Sequence, residues 1–471
     1  MPRYVGTHKT ALRDDAGKTI KTLIWGDPVH VVTEQGDETE VRARTVRGFV
    51  DTADLTDHGV LEVYVIDVGQ GDGILMRTPD DCWHMIDAGR RADAQMTKKG
   101  AANFVRWKFI EDLERDKVSL ATAVVSHPDL DHFGGFIDVL SGSVPFRGQF
   151  DVEVDRFYHS GLGRYAEGPQ LGQEDPGEVA EFPEGNKGIR RKDTFYTELL
   201  DTADDFANPP HEFLTEFGEF AQLVASVPNE VAAISQRKGY LPGYAPGETD
   251  VTIRVLGPIL EEFETGEWGL RNLGTNSVTL NRHSVVLRVE YDDVRILLTG
   301  YLNTDSQKLL RSYYDDSEFT VDVAKACHHG AEEVDLAFVK AMAARATVIS
   351  SGDDENYAHP RPVLMGAGGL YGRESRSAKD GGKLMPPLLY STELARAVKL
   401  AYPYRVEIEQ SNEIVSPEGF RIRTDKSKAI WKPLESTHVA TSSGERIGGK
   451  AADAATATAN SSVGWRITPT L

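Results

Sequence analysis

His127-Pro128-Asp129-Leu130-Asp131-His132 sets four imidazole or carboxylate side chains within six residues. Those two donor types together suit a hard or borderline divalent cation, and a solvated acidic turn would gain nothing from the two histidines. Further donors recur after apolar runs: Asp87 in Ile86-Asp87-Ala88-Gly89, His159 in Tyr158-His159-Ser160-Gly161, the pair His328-His329 before Gly330, and His359 before Pro360. Ligands carried on the strand ends of one sheet can converge on one edge, which assembles a metal site from distant sequence. At least one of His328 and His329 is expected to bind metal. His159 reads equally as a ligand or as an ordinary loop histidine. Asp87 reads as an acceptor that holds the ligand loop or an imidazole, not as a ligand itself. His359 either faces the pocket and touches a leaving group or stands apart. Asn281 and Ser284 read as turn formers, Cys327 as a small buried residue, and Arg190-Arg191-Lys192 as a solvated basic face or, within the insertion, a contact for a phosphate-bearing substrate.

The elements that must position these donors follow from periodicity. Residues 121–125 are apolar and β-branched, and Gly134-Gly135 and the apolar stretch 136–140 follow the loop, which predicts strand, ligand loop and helix start. Residues 61–67 alternate into a strand, Gly69-Gln70-Gly71-Asp72-Gly73 turns it, and 74–77 and 83–89 continue as antiparallel strands. No Lys-Ser/Thr follows those glycines and the next element is a strand, so the turn does not read as a nucleotide loop. A helix is predicted over 103–115, with Phe104, Trp107, Ile110 and Leu113 on one face. The pattern weakens from 146 to 249, with helices predicted at 193–205 and 210–235, and an insertion over about 160–249 walls the site or decorates the surface. Strands resume at 250–258, 284–290 and 294–299, then a helix 304–314, a strand 322–326, a helix 336–344 and a strand 347–351. A helix at 394–400 and paired strands at 405–410 and 419–424 are predicted before a disordered tail rich in Ala, Ser, Thr and Gly over 433–471.

With 471 residues the chain exceeds one ordinary domain. Its net charge of −21, from 73 acidic and 52 basic residues, argues against a general electrostatic affinity for nucleic acid or anionic lipid. Two cysteines, Cys82 and Cys327, offer no disulfide framework and fit a reducing compartment. Neither an apolar signal core nor a membrane-length apolar run is present. A soluble, cytoplasmic protein without a membrane partner is the expectation.

Residues 1–57 resemble a bacterial SH3-like module, with short strands, the loop Trp25-Gly26-Asp27-Pro28 and a closing Arg47-Gly48-Phe49-Val50-Asp51. It reads either as a docking module for a protein partner or as a structural cap. The ordered set Val65-Ile66-Asp67-Val68-Gly69-Gln70-Gly71-Asp72, Ile86-Asp87-Ala88-Gly89, Ser126 to Gly135, Leu297-Leu298-Thr299-Gly300 and His328-His329-Gly330 resembles a metallo-β-lactamase-fold hydrolase. Within that superfamily it is similar to the hydrolase domain of ComEC-type DNA-uptake competence proteins. The resemblance implies an α/β fold over 58–432, a four-layer αβ/βα sandwich preceded by the small all-β SH3-like barrel. It implies one or two divalent ions, Zn²⁺ first and Mn²⁺ second. His127 and Asp129, with His159 as a third donor, would hold one ion; Asp131, His132 and one of His328 and His329 would hold the other. A metal-bound hydroxide would attack phosphorus or a carbonyl, with Asp131 orienting or deprotonating the water.

One position departs from the pattern. The resemblance leads one to expect a bridging Asp after Thr299-Gly300, and this chain has Tyr301. Two cations about 3.5–4 Å apart repel strongly and need bridging anions, so a weak second ion or a single ion is expected. The reading is a metal-dependent phosphodiesterase or nuclease acting on a nucleotide or a nucleic-acid end. The alternatives are a catalytically weakened fold serving as a binding or regulatory module, and a lactone or amide hydrolase using the same donors.

Overall fold

The computed structural model describes residues 3–95, 98–145, 148–181, 189–352, 359–376 and 381–392, and as backbone strands 404–408, 413–414, 429–433, 439–441 and 446–447. Alternating buried and exposed side chains fold residues 3–56 into seven antiparallel strands, in the order Thr19–Ile24, Lys9–Arg13, Val46–Asp51, Glu38–Ala43, Pro28–Gln35, Arg3–Val5, Leu55–Thr56. Their inner faces pack Val5, Leu12, Leu23, Val29, Val41 and Val50 into a separate small core. The module is clasped to the rest of the chain by Arg77, which is 1% exposed. Its guanidinium donates to the Gly26 carbonyl at 2.9 Å and to Glu62 at 2.6 Å, and it lies over the rings of Tyr4 and Trp83.

Two six-stranded sheets follow, built on the same plan. The first runs Glu230–Ala233, Val152–His159, Val118–Val124, Trp83–Ala88, Gly73–Arg77, Glu62–Val65. The second runs Val251–Gly257, Val286–Tyr291, Val294–Leu298, Val323–Lys325, Ala346–Ile349, Leu388–Ser391. In each, antiparallel strands come first in the chain and parallel crossover strands follow. Apolar side chains of the two sheets share one core, which includes Ile74, Met76, Ile86, Val124, Ile253, Val255, Leu287 and Leu298. The opposite face of the first sheet packs on helices Ala101–Arg106, Leu130–Leu140 and Thr215–Ser226. That of the second packs on Thr304–Tyr313, Leu336–Met342 and Pro362–Tyr371. Helix Leu130–Leu140 lies so close to the first sheet that a Cβ on Gly135 would meet the Ala88 carbonyl oxygen at 2.0 Å, which accounts for the second glycine of the pair.

The weakly patterned middle of the chain holds more sheet than its composition predicts. Val152–His159 is an inner strand of the first sheet, and Glu230–Ala233, within the expected helix 210–235, is its edge. Likewise 193–205 is not one helix: Lys192–Tyr196 is a strand, and only Ala203–Ala207 is helical. Glu174–Glu178 and Lys192–Tyr196, both within the insertion, join Trp268–Arg271 and Leu260–Glu262 in a four-stranded sheet. Its central pairing, Lys192–Tyr196 with Trp268–Arg271, joins segments far apart in sequence, so local periodicity carries no trace of it. The predicted helix 103–115 is shorter, an α-helix Ala101–Arg106 widening into a π-helical turn Trp107–Asp112. Tyr404–Ile408 pairs with Glu413–Ile414 and Ala429–Pro433, while 394–400 and 419–424 lie outside the described residues. Within the segment expected as a disordered tail, Val439–Thr441 and Arg446–Ile447 join that small sheet.

Because Arg77 is a buried cation joining two separately cored units, Arg77→Leu should leave Glu62 without its partner. The expected outcome is a loss of about 3 kcal/mol in urea unfolding and faster proteolytic release of the N-terminal module. Unchanged unfolding and cleavage would show that Arg77 does not join the units.

Candidate metal centre

The ends of the parallel strands carry the donors, and both sheets contribute. Val118–Val124 leads into His127, and Asp129 caps helix Leu130–Leu140 by accepting the Leu130 N–H at 3.3 Å. Trp83–Ala88 ends with a register shift at Asp87, whose φ of 54° turns its carboxylate back towards the loop. There Asp87 accepts the Ser126 N–H at 2.6 Å, the Ser126 hydroxyl at 2.7 Å and His132 Nδ1 at 2.8 Å. The acceptor role expected for Asp87 is therefore directly visible. On the second sheet, Val323–Lys325 leads into His328 and His329, both at positive φ (48° and 52°).

His132 and His329 face one another through Nε2, and the His127 ring lies 4.0 Å from that of His132 between centroids. His132 Nδ1 is bonded to Asp87, His329 Nδ1 to the Ser350 carbonyl at 3.1 Å, and His127 Nδ1 lies 3.0 Å from the Ser126 hydroxyl and 3.3 Å from that of Ser284. Nδ1 anchored in this way leaves Nε2 as the ligand atom, the arrangement that orients metal-binding histidines. The Nε2 atoms of His132 and His329 are 3.3 Å apart, and that of His127 is buried with no hydrogen-bond partner among the described residues. Asp131 adds a carboxylate, 3.5 Å from His329 Nε2 and 4.0 Å from His132 Nε2. A buried, unpartnered nitrogen is costly without a partner, and this donor set fits a divalent cation.

Asp72, His132 and His329 also place one donor atom each within 4.8 Å of one another. The Asp72 carboxylate, however, approaches their Nδ1 edges, at 3.9 Å and 3.4 Å, and is joined to the buried ammonium of Lys325. Lys325 donates in addition to the Gly300 carbonyl at 2.9 Å. We read Asp72 as support behind the imidazoles, because the Nε2 side is where the free ligand atoms point.

The charges follow from this packing. Burial alone would lower the His132 pKa, but Asp87 and Asp131 outweigh it and push it up to about 9. Burial would raise that of Asp131, yet the imidazoles of His132, His329 and His127 hold it well below the usual carboxylate range. His127 is pushed well below 6.5 by burial and by His132.

The other candidates lie at different distances from this centre. His359 is buried, with its ring 5.4 Å from that of His328 and 6.4 Å from that of His329. His328 packs on the Tyr301 ring at 3.6 Å, and burial followed by His329 and His359 holds its pKa down to about 2. Tyr301 occupies the middle of the group, 5.2 Å from both His127 and His329 and 5.9 Å from His132 between ring centroids. Its N–H donates to Ser284, so Ser284 joins two site residues and is more than a turn former. Asp129 is half-buried, and its Oδ1 accepts from Arg164 at 2.9 Å. His159 is not brought in: its Nε2 donates to the Asp201 carbonyl at 3.2 Å, its Nδ1 accepts the Gly161 N–H at 3.1 Å, and its ring packs on Phe206. Both ring nitrogens serve the backbone, and the expectation of a third ligand there is corrected.

Sequence reasoning missed Lys325 and Arg164. Lys325 left a faint trace as a lone cation in an apolar strand beside the histidine pair; Arg164 left none, since it lies in a loop of the insertion.

No family model and no curated protein matches the chain. Among solved structures it is similar to Tm1679, a metal-dependent hydrolase of the beta-lactamase superfamily, at 13% identity over 62% of this chain and 87% of that one, TM-score 0.30. It is also similar to Zn(2+)-bound PqqB from Methylobacterium extorquens, at 12% identity over 54% of this chain and 59% of that one, TM-score 0.24. The chain thus spans less than two thirds of PqqB. At these scores the likenesses carry neither the fold nor the site, which stand on the strand order and hydrogen bonds above.

A cation at His132 Nε2 must displace a proton held up to about pH 9. In the metal-free protein that protonated ring stabilises the fold fully below about pH 6.5, and its contribution is lost as pH rises through 9. Metal affinity should move the opposite way, tightening by up to about tenfold per unit between pH 7 and 9. Competition with a chromophoric chelator at pH 7, 8 and 9 measures it, and a flat profile would remove His132 from the ligand set.

Proposed function

We propose that the chain is a metal-dependent hydrolase with a four-layer metallo-β-lactamase-type fold, acting on phosphodiesters such as a nucleotide or a nucleic-acid end. The observation that carries this reading is the convergence of three Nδ1-anchored imidazoles, His127, His132 and His329, with the Asp131 carboxylate. These four would hold a divalent ion, Zn²⁺ first and Mn²⁺ second, with Asp129 at the rim. When bound, the ion supplies Lewis-acid activation of water and positive charge for the phosphoryl oxygens. Asp131 orients the attacking water and takes its proton. His359, beside His328 and His329, returns a proton to the leaving oxygen. Residues 58–432 form the hydrolase unit and 1–57 an SH3-like docking module, a role supported by its exposed Ile24, Trp25 and Val32. Among the described residues no helix is long and apolar enough to cross a membrane, and both cysteines are free thiols, which supports a cytoplasmic protein.

Hydrolysis of bis-p-nitrophenyl phosphate in Mn²⁺ or Zn²⁺ tests the reading. A chelator should abolish turnover, and Asp131→Ala should lower kcat/KM by about 10²-fold or more. Full activity in that variant would overturn the assignment of Asp131.

Tyr301 favours a second reading, a fold weakened in catalysis that binds or regulates, since a phenol stands where a bridging carboxylate is expected. On the hydrolase reading, Tyr301→Asp binds a second ion more tightly but is not required for turnover. Activity that appears only in Tyr301→Asp would establish the second reading instead.

A further inference from the structure

The region inserted after strand Val152–His159 reaches the centre through Arg164. The backbone there is fixed: the Arg164 carbonyl accepts the Leu214 N–H at 2.9 Å, and the buried Tyr165 ring stacks on Phe213 at 5.2 Å. From this anchored position the guanidinium donates through Nη1 to Asp129 Oδ1 at 2.9 Å. The pair is open to solvent, with side chains 30% and 31% exposed. A structural clasp in the small four-stranded sheet looks different: Arg271 and Glu261 are bonded twice and buried at 2% and 0%. Exposed pairs of the Arg164 kind stabilise little, so stability is a poor account of a cation at the mouth of the site.

Two edges of the pair are unused. Among the described residues nothing is bonded to Arg164 Nε or Nη2, or to Asp129 Oδ2. The other cation of the centre, Lys325, is buried and committed to Asp72 and the Gly300 carbonyl. Tyr301 withholds the negative charge that a second metal ion would need. An anionic substrate arriving beside Asp129 and Asp131 therefore meets one organic cation with free donors.

We propose that Arg164 is the anion clamp of this centre, held in place by Asp129 and presenting its free N–H edge to the non-bridging oxygens of a phosphoryl group. A planar guanidinium offers two parallel donors at the spacing of two such oxygens. Arg164 thereby supplies the positive charge that a second metal ion would otherwise bring. The inference rests on the phosphodiester reading above and selects anionic over neutral substrates.

The full-length chain loaded with Mn²⁺ is compared with Arg164→Ala and Arg164→Lys by bound-metal analysis, calorimetric titration with inorganic phosphate, and steady-state hydrolysis of bis-p-nitrophenyl phosphate. Arg164→Ala should keep its metal, bind phosphate at least about tenfold more weakly, and raise KM more than it lowers kcat. Arg164→Lys should recover part of the affinity, since it keeps the charge and loses the two-donor geometry. Unchanged phosphate affinity and KM in Arg164→Ala would overturn the clamp while leaving the hydrolase standing. Loss of metal from Arg164→Ala would overturn it too, making Arg164 a holder of Asp129. A wild-type chain that binds no phosphate is equally fatal to it. A wild-type chain that binds phosphate through Arg164 yet cleaves no diester would uphold the clamp and sink the hydrolytic reading.

Discussion

Charges buried at the seam between two sheets must neutralise one another, and the architecture of the centre follows from that constraint. Asp72 on the first sheet and Lys325 on the second are each at most 1% exposed and are joined directly. An unpaired ion at that depth would be strongly destabilising, so the pair fixes how the two sheets meet at this edge. Lys325 also holds the Gly300 carbonyl, and with it the turn that carries Tyr301. On the Asp72 side, a Cβ on Gly71 would strike the Asp131 carbonyl oxygen at 2.1 Å, so the glycine turn presses directly on the ligand loop.

Behind the imidazoles lies a shell of acceptors that spend no ligand atoms. Asp87 binds Ser126 twice and His132 once, Ser350 takes His329, and the hydroxyls of Ser126 and Ser284 flank His127. Asp87, His328 and His329 all adopt positive φ, a conformation costly for residues with a Cβ. Strain at three positions in one site is tolerated because the surrounding hydrogen bonds over-determine the loops. The outcome is three imidazoles held by their Nδ1 sides, with the Nε2 atoms of His132 and His329 pre-positioned against each other, so that little is left to reorganise when a cation arrives.

Much of this was legible in the order of residues. Strand, ligand loop and helix around His127 to His132 follow from an apolar run, Gly134-Gly135 and the apolar stretch after them, all within one short stretch whose partners are neighbours in sequence. The hairpin strands near Asp72 and the passage through His328 were readable for the same reason. The insertion was not: Glu174–Glu178 pairs with Lys192–Tyr196, which in turn pairs with Trp268–Arg271 far along the chain, and polar, glycine-rich segments show no periodicity of their own.

The sequence by itself determined which donors exist, that they sit at strand ends, and that Tyr301 follows Thr299-Gly300, where the resemblance leads one to expect a carboxylate. Only the tertiary structure decided which donors meet. It brought His359 beside His328, turned His159 onto the backbone, and joined Asp72 to Lys325 and Asp129 to Arg164. Periodicity reports the face on which a side chain lies, because that is local backbone geometry. Contacts such as Asp72 with Lys325 depend on how two whole sheets pack, and no window of sequence contains both ends.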